Sequence, residues 1–282
     1  MRLLRAILML LLLGCNIHLE ATKRALVIGI GAYPVESGWN AISGDKDIAI
    51  VQETLQSNGF EQKNIHILAD SQATHAAIIN AFETLINSSK RGDVVYIHFS
   101  GHGQLITDTN GDEPNGFDES WIPYDAMKEY VKGEYEGENH LVDDQLNVLL
   151  HQLRTKIGYS GKIIIIADAC HSGGGSRDED EDNIRGTGNA FELPQKAEFK
   201  AQNKAEDWFF ISACKSYQFN QQCKNTKYGS LTYAIYMNRD KYGQTAAEFV
   251  RIISDSLATL VKYSQTPQLD CPPKMLDEII LP

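Results

Sequence analysis

The chain has 282 residues, of which 43% are hydrophobic and 22% are charged, so it can bury one large core and is too apolar to be disordered. Its 26 Lys and Arg residues against 37 Asp and Glu residues give a net charge of −11, which disfavours nonspecific binding to nucleic acid or anionic lipid. Five cysteines are too few for a disulfide-stapled miniprotein. The acidic balance favours a cationic partner.

The first 21 residues have the pattern of an export signal. Arg2 and Arg5 precede the short apolar run 6–13, which is the arrangement of a charged segment followed by a hydrophobic one. Residues 12–15 resemble a bacterial lipobox, which would leave Cys15 acylated, whereas a cut near Ala21 would release a soluble protein. We therefore expect a periplasmic or secreted protein, with lipid anchoring at Cys15 as the alternative. No interior apolar run approaches the roughly 20 residues of a membrane-spanning helix.

Hydrophobic patterning predicts alternating strands and helices. Continuous apolar runs predict strands, whereas apolar residues three or four positions apart predict helices. The predicted strands are 24–30, 64–68, 93–100, 162–168 and 208–212, and the predicted helices are 45–58, 74–86, 143–157, 229–239 and 244–262. Strands this uniformly apolar need cover on both faces, which predicts an α/β fold with a parallel sheet. Residues 173–207 are predicted to form one long irregular loop of the kind that is usually functional.

Two of the predicted strands end in residues that can carry chemistry. His102 lies two residues beyond Ser100, and Cys170 lies two residues beyond Asp168. If the strands are neighbours, this spacing brings an imidazole and a thiol to one sheet edge, where ligands of such sheets bind. A thiol needs a base nearby to become a thiolate near neutral pH. The sequence therefore predicts Cys170 as a nucleophile with His102 as its acid–base partner.

These motifs resemble those of the caspase-like cysteine peptidases, and specifically the metacaspases and their prokaryotic relatives. The resemblance rests on an ordered set that runs through nearly the whole chain: 23–31, 100–103, 116–119, 123–125, 142–144, 168–173, 211–214, 228–232 and 265–268. It implies one caspase-like peptidase domain over 22–282, with about six mainly parallel strands flanked by helices on both faces. It also implies peptide-bond hydrolysis, with the amides of Gly103 and Cys170 holding the oxyanion.

The resemblance further implies cleavage after Arg or Lys, because metacaspases use acidic groups at the base of the primary pocket. Asp168 and Ser100 match such positions. Asp47 is our choice for the second carboxylate, and Asp45 is close enough in the sequence to be a weaker alternative. Two carboxylates around one guanidinium make charge-assisted hydrogen bonds. We therefore predict protein or peptide substrates with basic residues, no nucleic acid partner and a monomeric enzyme.

A calcium site is a further hypothesis from the resemblance, although no cofactor is required for the chemistry. Calcium binds six to eight hard oxygens. Asp118, Asp143 and Asp144 match positions that bind calcium in some metacaspases, and Asp178 could be a fourth ligand. The stretch 108–112 is also calcium-like, but it lacks the glycine of an EF-hand. Asp143 and Asp144 could equally cap the helix that follows them.

The long loop predicts self-processing. Arg185 is followed by Gly186, so a pocket that selects Arg could accept this bond, which would divide the chain into a large and a small fragment that stay packed together. His98, inside a strand, is better interpreted as a core histidine, and a disulfide among Cys214, Cys223 and Cys271 cannot be assigned. The alternative to an enzyme is a catalytically silent caspase-like module that binds partners.

Overall fold

Uniformly apolar strands form the centre of the molecule. The computed structural model describes residues 21–170, 183–195, 197–200 and 207–281. The predicted export signal, apart from its last residue, and Cys15 lie outside the described residues. The strands are β1 (Lys23–Gly29), β2 (Ile65–Ala69), β3 (Val94–Ser100), β4 (Gly103–Thr107), β5 (Phe117–Trp121), β6 (Leu141–Val142), β7 (Lys162–Asp168), β8 (Phe209–Ser212) and β9 (Gln268–Asp270). Every residue of β3 is buried, as its nearly continuous apolar run predicts for a strand covered on both faces.

Six of these strands form one sheet in the order β2-β1-β3-β7-β8-β9. All neighbours pair in parallel except β9, which is antiparallel to β8. The prediction of about six mainly parallel strands is thus confirmed. The register between β3 and β7 pairs Ser100 with Asp168, so the residues that follow both strands emerge at the same edge of the sheet.

Helices cover both faces of this sheet. They are α1 (Gly44–Ser57), α2 (His75–Ser88), α3 (Asp143–Ile157), α4 (Ser230–Met237) and α5 (Ala246–Leu260). Buried side chains of α2 and α3 belong to the hydrophobic cluster on one face, and those of α1, α4 and α5 belong to the cluster on the other. Thr74 caps α2 through its side-chain oxygen. No helix among the described residues is long and apolar enough to cross a bilayer.

The predicted elements omit a second, antiparallel sheet in the order β4-β5-β6. These strands have five residues or fewer and are separated by Gly- and Asp-rich turns, so they lack the long apolar run that identifies a central strand. The small sheet matters for the site because β4 begins at Gly103, directly after His102.

Candidate active site

His102 sits in an aromatic enclosure at the end of β3. Its ring stacks on Trp39 at a centroid distance of 4.7 Å and leans on Tyr33 at 5.1 Å. The backbone N–H of His102 donates to the Tyr33 hydroxyl (3.0 Å). These contacts hold the imidazole in one orientation, so Tyr33 and Trp39 are positioning residues that sequence motifs do not identify.

The hydrogen bonds of His102 decide which ring nitrogen is available. Nε2 lies 2.8 Å from the backbone carbonyl of Asn40, and because a carbonyl can only accept, Nε2 carries the proton. Nδ1 is buried and has no hydrogen-bond partner among the described residues. Burial lowers the pKa of His102 to about 3. The neutral imidazole therefore presents an Nδ1 lone pair that can accept a proton.

Cys170 follows β7, the strand next to β3, and its backbone amide donates to the carbonyl of Arg185. The N–H of Cys170 donates to the carbonyl oxygen of Arg185 (2.8 Å), and the N–H of Gly103 approaches the same oxygen (3.4 Å). Two amides that converge on one carbonyl are the arrangement that stabilises an oxyanion. Gly186, which follows that carbonyl, is so close that an added Cβ would lie 2.9 Å from Cys170 Cβ. The Arg185–Gly186 peptide bond therefore lies across Cys170.

The side chain of Arg185 fills a fully buried acidic pocket. Its Nη2 lies 2.8 Å from Asp47 Oδ2, and its Nη1 lies 3.8 Å from Asp168 Oδ2. Nη1 also donates to the hydroxyl of Ser100, which in turn donates to Asp47. All three charged side chains have no exposed surface. The predicted pocket residues Asp47, Asp168 and Ser100 thus surround one guanidinium.

Each carboxylate of this pocket is held by further groups. Asp168 accepts from the backbone and hydroxyl of Thr232 (2.8 and 2.6 Å) and from the side-chain amide of Asn220 (2.7 Å). Asp47 accepts from the backbone N–H of Gly229 (3.0 Å). Burial, opposed by the charge of Arg185, raises the pKa of Asp47 to about 6. Charge-assisted hydrogen bonds to buried carboxylates fix their orientation.

The guanidinium also needs a residue without a side chain beside it. An added Cβ on Gly229 would lie 2.5 Å from Arg185 Cζ and 2.3 Å from Asp168 Oδ2. Ser43, another residue that sequence reasoning missed, accepts from Arg185 Nη2 (3.2 Å). The signal for Gly229 and Thr232 was present in the family-like motif 228–232, but the motif alone assigned them no role.

Residues 183–185 pair with residues 220–222 as an added strand. The N–H of Arg185 donates to the carbonyl of Asn220 (3.0 Å), and the N–H of Gln222 donates to the carbonyl of Asn183 (2.9 Å). Ile184 forms an antiparallel bridge with Gln221. Strand addition of this kind is a common way to bind an extended peptide. The segment is therefore held along residues 220–222 in an extended conformation.

The weaker alternative Asp45 lies outside this pocket. It is in the first turn of α1, and its carboxylate packs where a Cβ on Gly31 would be. It makes no ion pair with Arg185 within the described parts of the chain. His98 is buried in β3 with Nε2 3.1 Å from the Thr232 hydroxyl, as the interpretation of a core histidine anticipated.

A separate acidic cluster lies at the far end of the hairpin formed by β4 and β5. Carboxylate oxygens of Asp108, Asp112 and Asp118 all lie within 4.8 Å of one another. Oδ1 of Asp118 is buried and has no hydrogen-bond partner among the described residues. Burial and then the neighbouring carboxylates, first Asp144 and then Asp108, raise the pKa of Asp118 to about 7. The charges that act on Asp118 in this cluster are therefore all negative.

The predicted metal ligands meet this cluster in part. Asp118 belongs to it, and Asp144 lies beside it, accepting from the side chain of Asn110. Asp143 lines a neighbouring cavity of about 270 Å³ together with Glu119 and Asp270. Asp178 lies outside the described residues. Asp108 and Asp112 come from the calcium-like stretch 108–112.

Comparison with known proteins identifies relatives of this chain. Residues 22–276 match the family model described as the caspase domain, Peptidase C14. The chain is 34% identical over 161 residues to metacaspase III c of Phaeodactylum tricornutum, covering 54% of this chain and 43% of that protein. It is 33% identical over 161 residues to metacaspase-7 of Arabidopsis thaliana, covering 54% of this chain and 35% of that protein. The chain thus spans less than half the length of these relatives.

One solved structure has the same fold along almost the whole chain. It is the crystal structure of a protein from Geobacter sulfurreducens, with a TM-score of 0.63 and 21% sequence identity. The similarity covers 91% of this chain and 97% of that one. At this identity the comparison establishes the architecture alone.

Proposed function

The chain belongs to the caspase domain family, and from that premise we propose that it is a cysteine endopeptidase that cleaves after Arg, and less efficiently after Lys. Its first substrate is its own Arg185–Gly186 bond. One observation supports this most strongly: the side chain of Arg185 lies between Asp47 and Asp168 while its carbonyl accepts from the amide of Cys170. Pocket, oxyanion donors and nucleophile thus converge on a single residue.

The proposed reaction uses Cys170, whose amide donates to the carbonyl of this peptide bond, and His102, which follows the neighbouring strand β3. Cys170 passes its thiol proton to Nδ1 of His102 and attacks the carbonyl carbon of Arg185. The amides of Cys170 and Gly103 hold the resulting oxyanion, a contribution worth about 10²–10³-fold per donor in related chemistry. His102 then gives its proton to the nitrogen of Gly186, which leaves. Water, deprotonated by the same imidazole, hydrolyses the thioester.

The pocket explains the preference among charged residues. Asp47 and Asp168 approach two different nitrogens of one planar guanidinium. The ammonium group of Lys is a single point charge and cannot face both carboxylates in this way. An aspartate side chain would meet two carboxylates in a buried site, where like charges repel strongly. The expected order of cleavage is Arg, then Lys, then Asp.

A panel of quenched-fluorescent peptides tests this proposal. The peptides differ only in the residue before a glycine, which is Arg, Lys or Asp. We expect kcat/KM for the Arg peptide to exceed that for the Lys peptide by about tenfold, equivalent to one lost charge-assisted contact. We expect no measurable cleavage of the Asp peptide.

An arginyl chloromethyl ketone separates the proposal from a silent binding module. The reagent should alkylate Cys170 in the wild type and leave the His102→Ala variant largely unlabelled, as located by peptide mass mapping. Cleavage of the Asp peptide ahead of the Arg peptide would contradict the pocket assignment. A wild-type protein that neither cleaves the panel nor reacts with the ketone would be the silent module.

We also propose that Asp108, Asp112 and Asp118 bind Ca²⁺. Their oxygens suit a hard cation, and Oδ1 of Asp118 is buried without a hydrogen-bond partner among the described residues, in a cluster that carries excess negative charge. The cluster joins β4 to β5, and β4 begins at the oxyanion donor Gly103. A bound cation would neutralise the carboxylates and hold this hairpin in place.

The variant Asp118→Asn tests the calcium proposal. We expect it to raise the calcium concentration for half-maximal cleavage of the Arg peptide by at least about tenfold, because one anionic ligand is lost. Titration of chelator-treated protein with CaCl₂ gives this value, and Asp277→Asn, an exposed carboxylate near the C-terminus, is the control. Full activity of the wild type after exhaustive chelation would refute the proposal.

A further inference from the structure

A second thiol lies beside Cys170, and the mechanism does not use it. Cys214 follows β8 just as Cys170 follows the neighbouring strand β7. Both sulfurs approach the same backbone carbonyl, that of Gln218, at 3.6 Å for Cys170 and 3.3 Å for Cys214. The side chain of Cys170 is also the largest cause that raises the pKa of Cys214. Two sulfurs that approach one oxygen this closely form a pair.

The backbone places this pair within reach of a disulfide. In the register of β7 and β8, Ala167 is opposite Ser212, so Cys170 lies three residues beyond the last pair and Cys214 lies two residues beyond it. Neighbouring strands are about 4.8 Å apart, and disulfides join Cα atoms about 4.4–6.8 Å apart. Cys214 belongs to an irregular segment after β8, which can adjust to bring the sulfurs together.

The electrostatic environment gives the two thiols different roles. The hydrogen bond to Cys170, burial, and the negative charge of Cys170 hold the pKa of Cys214 well above its usual range. Cys214 therefore keeps its proton while Cys170 is a thiolate. When Cys170 is capped by another sulfur, its charge disappears, and Cys214 ionises more readily. This order makes Cys170 the attacking thiol and Cys214 the resolving thiol.

The remaining described cysteines are poorly placed to pair with Cys170. Since β9 runs antiparallel to β8 with Phe210 opposite Asp270, Cys271 lies near the start of β8. Cys214 lies beyond its end, roughly 15 Å away at the rise of a strand. The sulfur of Cys223 points to the carbonyl of Gly229, beneath the pocket. Geometry thus selects Cys214.

We propose that Cys170 and Cys214 form a reversible disulfide when the protein meets a low-molecular-weight disulfide such as oxidised glutathione, and that this bond switches the peptidase off. The loss of activity depends on the function proposed above, whereas formation of the bond does not. A sulfur in a disulfide cannot attack a carbonyl, so the switch acts on the nucleophile itself. Reduction by a thiol restores it.

The chemistry balances with oxidised glutathione as the oxidant. The Cys170 thiolate attacks one sulfur of glutathione disulfide, which forms a mixed disulfide and releases one glutathione thiolate. The Cys214 thiolate then attacks the Cys170 sulfur, which forms the internal disulfide and releases the second glutathione thiolate. The protein loses two electrons and two protons, and the glutathione disulfide gains them as two thiols.

The segment in the cleft controls when this reaction can occur. Cys170 is 1% exposed, and the Arg185–Gly186 bond lies across it. The oxidant therefore reaches Cys170 after this segment leaves. The variant Arg185→Ala removes the side chain that holds the segment in the pocket, so access to Cys170 no longer depends on self-cleavage.

The experiment incubates wild-type protein and Arg185→Ala in glutathione buffers of defined composition, blocks remaining thiols and maps the peptides by mass. We expect trypsin to release a linked pair made of 163–177, which contains Cys170, and 205–215, which contains Cys214. Intact mass should show the loss of two hydrogen atoms. If neither protein yields this linked pair, or if Cys170 remains in a glutathione adduct while Cys214 is present, the proposal is wrong.

The dependence on total glutathione distinguishes an internal disulfide from a simple adduct. At a fixed ratio of reduced to oxidised glutathione, a tenfold dilution should raise the ratio of oxidised to reduced Cys170 about tenfold in the wild type, because two reduced molecules are released. In Cys214→Ser one molecule is released, and dilution should leave the ratio unchanged. Cys271→Ser is the matched control and should behave as the wild type. Equal responses of wild type and Cys214→Ser would overturn the proposal.

Discussion

Replacing Asp47 with Asn is expected to lower kcat/KM for the Arg peptide by about 10²–10³-fold, the cost of removing one partner from a fully buried charge pair. Asp47 lies 2.8 Å from Arg185 Nη2, and neither side chain is exposed. An amide supplies one acceptor but no charge. Steady-state kinetics with the peptide panel measure the effect, and the preference for Arg over Lys should decrease because the second anionic contact is gone.

The pH dependence follows from the same carboxylate. Burial raises the pKa of Asp47 to about 6, so the carboxylate takes up a proton as the pH falls through this value. Protonation removes the charge that attracts the guanidinium. In the wild type, kcat/KM for the Arg peptide should therefore fall toward acid pH as Asp47 takes up its proton; since kcat/KM reports the free enzyme, the midpoint belongs to the pocket without the Arg185 guanidinium that lowers this pKa. This limb should disappear in Asp47→Asn, whose amide does not titrate.

The matched control is Asp45→Asn, two residues earlier on the same helix. Asp45 packs beside Gly31 and makes no contact with Arg185 in the described residues, so its replacement should change kcat/KM by less than about threefold, as for a charge outside the pocket. If Asp47→Asn retains wild-type kinetics while Asp45→Asn does not, the assignment of the pocket is reversed.

Replacing Gly186 with Ala is expected to slow self-cleavage by at least about 10²-fold, the typical cost of a misplacement of about 1 Å at a reacting bond. The added Cβ would lie 2.4 Å from the carbonyl oxygen of Cys170 and 2.9 Å from that of Gly103. Both neighbours are backbone atoms that cannot move aside cheaply, so the Arg185–Gly186 bond must withdraw from the sulfur. The fraction of intact chain over time, measured by mass spectrometry, gives the rate.

Two controls show whether the effect belongs to the reacting bond. Gly243→Ala adds the same methyl group where nothing lies within 4 Å, and it should process at the wild-type rate. A free peptide with Ala after Arg should be cleaved more slowly than the peptide with Gly, because it meets the same backbone atoms. Wild-type self-cleavage in Gly186→Ala would show that the bond does not occupy the observed position when it reacts.

Sequence reasoning reached the centre of this site because the chemistry is attached to long apolar strands. The runs that end at Ser100 and Asp168 predict buried strands, and polar residues directly after such strands must meet at one edge once the strands are parallel neighbours. The family-like motifs around His102 and Cys170 then supplied the chemistry. Helix 143–157 was predicted with its observed bounds, since its periodicity is strong and Gly158 ends it.

The rest depended on information that one sequence does not display. Asn40 orients His102 through a backbone carbonyl, a role that any residue type could fill. Asn220 and Thr232 support Asp168 from 52 and 64 residues away, and neutral side chains at such separations carry no pattern. The loop position of Arg185 predicted a cleavage site, but its burial among carboxylates follows from packing of distant segments.

The most direct test of the account is the identity of the ends produced by self-cleavage. Purified wild-type protein and Cys170→Ala should be incubated side by side and then analysed by intact mass and N-terminal sequencing. We predict that the wild type yields one fragment that ends at Arg185 and one that begins at Gly186, while Cys170→Ala remains a single chain. Identical fragments from both proteins, or a wild type that stays intact under conditions in which it cleaves the Arg peptide, would contradict it.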